Sequence, residues 1–249
     1  MKRSLNSLIG YTLGASDGEI GKVKEFYFDD KTWTIRYLVV ETGTWLLGRE
    51  VLIAAEMLLK PNWEKSIFPV NLTKEQIRNS PDIDTQKPVS RQEEIKLQDY
   101  YMRTSYMGSG GYEGAIPAYM QQVLTKDEKK LPDKTSGTNA HLRSTCNVTG
   151  YYIEATDGEI GDVVDFIVDD NTWEIDFIVV DTGNWLPGKK VLIAPKWIQE
   201  IDWEAAEVIV HASIKQVKGS PEYDSAQPVS EDHKVHLHNY YSQFVTNIE

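Results

Sequence analysis

The chain repeats itself, and this repeat limits its fold more than any other feature. Segment 15–33 reads ASDGEIGKVKEFYFDDKTW, and segment 155–173 reads ATDGEIGDVVDFIVDDNTW. A constant offset of 140 aligns the copies without a gap over residues 10–101, and 26 of the 45 residues in 10–54 are identical to their counterparts. Solenoid repeats have periods of roughly 20 to 50 residues. The longer period indicates a duplicated domain, and we expect each copy to have its own core.

The repeat divides the 249 residues into two units and a connection. We expect a first unit over 5–101, a linker over 102–147 and a second unit over 148–244. Gly, Ser, Thr, Lys and Asp dominate the linker, a composition typical of connecting segments. Because a structureless connection of this length is unusual in a compact protein, we expect it to wrap a unit or to contain a short helix near 117–124.

Each unit begins with the pattern of a small sheet. Asp17-Gly18, which recurs as Asp157-Gly158, is a turn dipeptide between extended segments and predicts a hairpin. From Trp33 onward the apolar residues alternate with period two, which is typical of a strand whose inward face includes this tryptophan. Five or six short strands joined by tight turns predict a closed or rolled sheet. Further strands are expected at 51–53 and 63–70 and at their counterparts 191–193 and 203–210.

Two capped helices follow the strands in each unit. Capping-box patterns at 73–76 and 213–216 open the first helix of each pair. Ser90 and Ser230 open the second helices, although His233 replaces the reciprocal glutamate in the second copy. The predicted fold class is therefore mainly β with α appendages: two tandem small antiparallel β-barrels, each followed by short helices.

The excess of acidic residues limits the kinds of partner that the protein can bind. The chain has 38 acidic and 26 basic residues and a formal net charge of -12, and an acidic surface repels phosphate backbones. The basic residues form no stripe, so we expect no strong nucleic-acid binding. Cys146 is the single cysteine and excludes an internal disulfide. Since no segment has the pattern of a signal peptide or a membrane span, we expect a cytoplasmic protein.

The most distinctive segments of the repeat resemble sequences of the PRC-barrel family. They are DGEIGKVKEFYFDD at 17–30 and WTIRYLVVETGTWLLGREVLI at 33–53, each with its second copy. This family takes its name from the photosynthetic reaction centre H subunit and includes the C-terminal domain of the ribosome maturation factor RimM. The resemblance implies a small β-barrel that docks on proteins or on ribonucleoprotein. It implies no catalytic residues and no cofactor.

The acidic residues of the turns have two interpretations. They could form paired carboxylates or a calcium site, but aspartate is favoured in turns because its side chain accepts local backbone hydrogen bonds. We favour the structural interpretation. The residues are Asp17, Glu19, Asp29 and Asp30 with their counterparts Asp157, Glu159, Asp169 and Asp170.

His233 and His236 are the candidate metal ligands. Their spacing of three residues would place both on one face of a helix. His238 would point elsewhere. The counterparts of the pair are Glu93 and Lys96, so we favour a solvated helix face that accepts any polar residue.

We find no arrangement typical of catalysis. Cys146 has only His141 nearby and no third residue to orient a base. The glycines of 108–114 lack the preceding strand, the following helix and the Lys-Ser/Thr pair of phosphate-binding loops. We therefore predict that the protein is not an enzyme.

The tips that follow the Thr-Gly turns are the candidate partner-binding sites. They carry Trp45-Leu46 in the first copy and Trp185-Leu186 in the second. Two interpretations remain open: these residues fold over an open barrel end, or they are exposed anchors for a partner.

The leading hypothesis is a non-enzymatic cytoplasmic protein-binding or scaffold protein whose partner is a protein or a membrane-associated complex. Two copies on one chain could pack about a pseudo-twofold axis or present two docking faces. One alternative is an RNA-metabolism or ribosome-associated factor by analogy with RimM, which the charge disfavours. The other is a small-molecule enzyme with a cleft between the barrels, which the lack of a convergent nucleophile, base or metal set disfavours.

Overall fold

The computed structural model describes residues 1–82, 89, 91–108, 141–183, 189–225 and 229–243. Most of its regular structure is strand, as the sequence predicts. The strands are β1 Lys2–Ser4, β2 Thr12–Ala15, β3 Gly18–Asp29, β4 Thr34–Glu41, β5 Glu50–Ala54, β6 Ile67–Pro69, β7 Leu142–Ser144, β8 Tyr152–Ala155, β9 Gly158–Asp169, β10 Ile175–Asp181, β11 Lys190–Ile193, β12 Ile198–Asp202 and β13 Glu207–Val210. The α-helices are α1 Lys74–Arg78, α2 Arg91–Gly108, α3 Thr145–Val148, α4 Ile214–Gly219 and α5 Glu231–Ser242.

The structure contains two sheets with the same topology. The first runs β5-β4-β3-β2-β6 and the second runs β11-β10-β9-β8-β13-β12. The β2–β3 and β8–β9 hairpins turn at the predicted Asp-Gly dipeptides, where Ala15 pairs with Gly18 and Ala155 pairs with Gly158. β6 and β13 pair in parallel with β2 and β8, whereas the other pairs along these two paths are antiparallel. The hairpin turns therefore account for antiparallel neighbours, whereas β6 and β13 reach β2 and β8 after longer stretches of chain.

Each sheet is rolled. β11 and β12 lie at opposite ends of the strand order of the second sheet. In the chain, however, only Ala194 and the 3-10 helix Pro195–Trp197 lie between them. The first copy makes the same connection through Ala55–Met57. Among the described residues the pairing order stays open, so hydrogen bonds do not close either sheet into a barrel. The strands expected at 63–70 and 203–210 are shorter, because their first residues form turns.

The first strand of each copy lies in the sheet of the other copy. β1 pairs antiparallel with β9, where Arg3 stands opposite Val168. β7 pairs antiparallel with β3, where Arg143 stands opposite Phe28. Both pairings obey the same offset, since 3 + 140 = 143 and 28 + 140 = 168. We call residues 1–5 and 141–145 the arms, and the two repeats exchange them reciprocally.

This exchange corrects two expectations. Residues 102–108 continue α2, and 142–147 form β7 and most of α3, so these parts of the range 102–147 are not a connection. The two copies also do not have separate cores. The division into units 5–101 and 148–244 remains a prediction, and the helix expected near 117–124 lies outside the described residues.

Aromatic rings join the cores of the two copies. The Trp173 ring centroid lies 5.8 Å from that of Phe68 and 6.4 Å from that of Phe26. The Phe28 centroid lies 5.8 Å from that of Phe166. Because all four phenylalanines are at most 1 % exposed, the apolar surface buried here belongs to both repeats. One continuous core therefore stabilises the protein.

Trp33 and Trp173 connect the sheets through their backbones. We expected Trp33 on a strand, but it precedes β4 with a left-handed φ of 54°, and Trp173 precedes β10 with a φ of 60°. Each carbonyl accepts a hydrogen bond from the other copy: Ile175 N–H donates to Trp33 at 2.7 Å, and Ile35 N–H donates to Trp173 at 2.8 Å. With this left-handed φ, the carbonyl group of each tryptophan faces the other copy.

The predicted capping boxes open α1 and α4. The Thr73 hydroxyl accepts from Gln76 N–H at 3.2 Å, and the Gln76 side chain accepts from Thr73 N–H at 2.7 Å. Ser213 and Gln216 form the same reciprocal pair. In the second helices, Leu97 of α2 and Leu237 of α5 are fully buried, so both helices pack on the sheets.

Candidate functional site

A groove with two lobes runs along the junction of the repeats. The helix lobe has a volume of about 610 Å³ and lies between α5, the Pro195–Trp197 turn and the start of β10. The arm lobe has a volume of about 450 Å³ and lies between the arm residues 141–143 and β12. Trp33 and Pro195 line both lobes, which are therefore adjacent. We call the two lobes together the inter-repeat groove.

The helix lobe has an apolar interior. Ile175 and Phe177 of β10 and Trp197 are at most 5 % exposed and form its floor. Val235 of α5 lines the same lobe and is 57 % exposed, which is unusual for an apolar residue on a helix that packs against a sheet. Trp33 is half-buried and comes from the first copy. Side chains of both repeats therefore form this lobe.

Lys196 stands at the rim of the helix lobe. Its ammonium lies 2.7 Å from His238 Nδ1 and 5.5 Å from the ring centroid of Trp197. Within the described part of the chain, Lys196 forms no ion pair with a carboxylate. This cation is consequently available to an anionic group from outside.

Three other charged side chains at the helix lobe are paired with one another. Lys234 Nζ lies 3.4 Å from Asp176 Oδ1, and the ammonium of Lys2 on the first arm contacts the same carboxylate. Burial opposes the charge on Lys2, but its bonds to Asp176 and Asp169 outweigh burial and raise its pKa above the usual range. Asp176 thus ties the first arm to α5.

The arm lobe contains an arginine between the two repeats. Arg143 Nε donates to Asp30 Oδ2 at 2.9 Å, and the guanidinium carbon lies 3.9 Å from the ring centroid of Trp203. His141 Nδ1 lies 3.4 Å from Asp30 Oδ1. Arg3 on the first arm has the equivalent geometry. Its Nε donates to Asp170 at 2.8 Å, and its guanidinium carbon lies 3.6 Å from the ring centroid of Trp63.

Two half-buried carboxyl groups hold the arms. Ser4 donates to Asp165, and Ser144 donates to the equivalent Glu25. Burial raises the pKa of both carboxyl groups despite these hydrogen bonds. Their partners belong to the arms, so these shifted groups have a structural explanation.

Six of the eight turn acids, all of them aspartates, have structural partners. Asp29 Oδ1 accepts from the backbone N–H of Lys31 and of Thr32, each at 2.9 Å, and Asp169 makes equivalent bonds to its turn. Asp17 and Asp157 accept from the first N–H groups of α1 and α4. Asp30 and Asp170 pair with the arm arginines. These contacts support the structural interpretation of the cluster.

The structure describes the predicted hairpin tips only in part. Leu46 lies in the 3-10 helix Gly43–Leu46 and packs half-buried against the core. Leu47 follows it with a φ of 57° and is 97 % exposed. The side chain of Trp45 and the whole of Trp185 and Leu186 lie outside the described residues, so their role remains a prediction.

The histidine pair lies on α5. His233 is half-buried, its Nε2 has no hydrogen-bond partner, and His236 is exposed. Burial lowers the pKa of His233, and His236 adds a smaller effect. Among the described residues, no group of three or more His, Cys, Asp or Glu side chains is placed to hold a metal ion. The solvated helix face therefore stays the prediction for His233 and His236, with a metal site as the less favoured alternative.

Sequence reasoning missed the inter-repeat groove, because its residues come from five separate segments: 30–33, 141–143, 174–177, 194–203 and 231–238. One signal was nevertheless present: four of the five charged residues that the second copy contributes to the helix lobe change sign in the first copy. The pairs are Asp176 with Arg36, Lys196 with Glu56, Glu231 with Arg91 and Lys234 with Glu94. The copies therefore keep their core but differ in the electrostatics of this surface.

Comparison with known families finds a PRC-barrel domain at residues 2–77. The matched range includes β1, which in this chain lies on the sheet of the other repeat. A search of curated proteins gives no match. Among the described helices, none has the length and apolar character that crossing a membrane requires.

Proposed function

We propose that this chain is a non-enzymatic protein-binding or scaffold protein of the cytoplasm, and that the inter-repeat groove is its docking site. We also propose that the second repeat is a PRC-barrel unit like the first and that both sheets act as rolled barrels. The shared strand order and the offset of 140 support this second statement. The partner is a protein, free or in a membrane-associated complex.

The observation that carries the proposal is an open apolar lobe in a rigid frame. Val235 is 57 % exposed beside the buried floor of Trp197 and Phe177. Protein interfaces commonly bury aromatic and aliphatic side chains in a pocket surrounded by a polar rim. Reciprocal arm exchange fixes the position of Trp33 relative to α5, so a partner would meet a preformed surface.

The alternatives explain the groove less well. An enzyme in the cleft would need acid and base groups that converge on one point, but Asp30 is held by Arg143 and Asp176 by Lys2 and Lys234. An RNA-binding protein would need a basic surface, whereas the formal net charge is -12.

Affinity capture from the native host tests the proposal when wild type is compared with two surface variants. Val235→Asp places a charge in the groove, and Leu47→Asp places the same charge at the exposed hairpin tip. We expect wild type and Leu47→Asp to retain a protein in near-stoichiometric amount and Val235→Asp to lose it. Retention of RNA alone, or of no protein, would contradict the proposed function. Loss with Leu47→Asp alone would move the docking site to the tip.

A further inference from the structure

We propose that the occupant of the groove is an extended segment of a partner protein in which an apolar side chain stands next to a carboxylate. The apolar side chain enters the helix lobe against Val235 and Trp33, and the carboxylate binds the ammonium of Lys196. This inference rests on the proposed function and specifies the chemistry of the partner at the same site.

Lys196 selects the carboxylate. An ammonium group has three N–H donors, and the contact with His238 Nδ1 at 2.7 Å uses one of them. No carboxylate of the described chain pairs with Lys196, so two donors remain for a ligand. The adjacent Trp197 ring keeps the side chain over the lobe at 5.5 Å. A carboxylate is the complementary partner, because charge-assisted hydrogen bonds are about twice as strong as neutral ones.

The exposed apolar surface around Val235 indicates the apolar side chain of the bound segment. Val235 is 57 % exposed, whereas Trp197 beneath it is 5 % exposed, so a side chain laid on Val235 would cover apolar surface without displacing the core. Glu231 lies seven residues before His238 on α5, about 10 Å along the helix axis. Glu231 is therefore about two helical turns from His238, the residue that contacts Lys196.

The first copy lacks this combination. Glu56 replaces Lys196, and the half-buried Ile95 replaces the exposed Val235. A carboxylate would be repelled at the first copy by Glu56. The duplicated chain is therefore expected to bind one such segment, despite its two repeats.

Titration with three synthetic peptides tests the chemistry. The acidic probe is Ac-GSLFDLEGS-NH2, the neutral probe is Ac-GSLFNLQGS-NH2 and the basic probe is Ac-GSLFKLKGS-NH2. Chemical shifts of the Val235 methyl groups and of the Trp33 and Trp197 indole N–H groups report the site. We expect the acidic probe to bind roughly tenfold tighter than the neutral probe, with one peptide per chain. Equal or tighter binding of the basic probe would overturn the inference.

Variants separate the groove from general charge effects. Lys196→Glu installs the residue of the first copy and should weaken the acidic probe at least tenfold, while Lys196→Arg should retain most of the affinity. Lys215→Glu changes the same charge on exposed surface outside the groove and should leave binding unchanged. A host protein captured in the previous experiment through Val235, but insensitive to Lys196→Glu, would disprove the carboxylate contact and leave the proposed function standing. No captured protein would reject the function itself, whatever the peptides show.

Discussion

Replacement of Arg143 by alanine tests whether the arms hold the two repeats together. This side chain lies on the second arm, donates to Asp30 of the first repeat at 2.9 Å and stacks on Trp203 of the second at 3.9 Å. The pair with Asp30 is partly shielded, with the two side chains 21 % and 11 % exposed. Its loss therefore affects both repeats together.

The expected cost follows from the two contacts. A hydrogen bond to a charged group contributes about 1.5 to 3 kcal/mol, and partial exposure places this one near the lower limit. A cation over an aromatic ring at a partly exposed site adds about 0.5 to 1 kcal/mol. We expect Arg143→Ala to lower the free energy of unfolding by about 2 kcal/mol. In a chain of this size, that corresponds to roughly 4 to 8 °C in the melting temperature.

Chemical denaturation of matched variants provides the assay. Arg3→Ala should cost about as much as Arg143→Ala, because Arg3 makes the equivalent contacts to Asp170 and Trp63. Lys22→Ala removes an exposed cation from β3 and should cost less than about 0.5 kcal/mol. A double-mutant cycle between Arg143→Ala and Trp203→Leu should give a coupling of about 0.5 to 1 kcal/mol. Losses below about 0.5 kcal/mol for both arginines would refute the stabilising role of these contacts, and an absence of coupling would contradict the placement of Arg143 on Trp203.

Two further predictions concern local features. Gly161→Ala should lower the free energy of unfolding, measured in denaturant, by more than about 3 kcal/mol, because a Cβ atom there would lie 1.8 Å from the Asp181 carbonyl oxygen. Gly150 also has a positive φ but no atom close to its Cβ position, so Gly150→Ala should cost only about 1 kcal/mol. Equal costs for the two variants would disprove the clash. For acid unfolding, burial opposes the ionisation of Asp169, but hydrogen bonds from Lys2 and from its own turn hold its pKa below the usual range. The stability that this group adds is thus present above the ordinary aspartate pKa and is lost as pH falls below it. Between pH 5 and pH 2.5, the unfolding midpoint should therefore drop less in Asp169→Asn than in wild type. An identical drop in both proteins would contradict the lowered pKa of Asp169.

Local features of the fold were predictable because their signals lie within a few residues. Asp17-Gly18 needs only its own turn to form a hairpin, and Thr73 needs only Gln76 to begin a helix. The alternation after Trp33 likewise gave β4, but it could not show that Trp33 itself leaves the strand. That residue takes a left-handed φ for a hydrogen bond to Ile175, which is 142 residues away in sequence.

The exchange of the arms had no comparable signal. An arm can form a similar ladder with either repeat, because β3 and β9 occupy the same place in the two strand orders. Beyond the common Arg-Ser dipeptide, moreover, the arms differ in sequence. The inter-repeat groove depends on this exchange and on the contact of Trp33 with the second sheet, so its geometry could not be predicted either.

Reciprocal exchange makes the connection between the repeats dispensable once the protein has folded. A protease site inserted between residues 120 and 121 would cut the chain into two halves, each with one arm in the sheet of the other. Leu5 and Leu142 on these arms are at most 2 % exposed, and the ring of Trp173 lies 5.8 Å from Phe68 of the opposite half. Separation would expose these residues and the edges of β3 and β9, so we expect the cleaved halves to elute together from a sizing column at the position of the intact chain. They should separate only in denaturant. Halves that elute apart under native conditions would show that each repeat keeps its own arm.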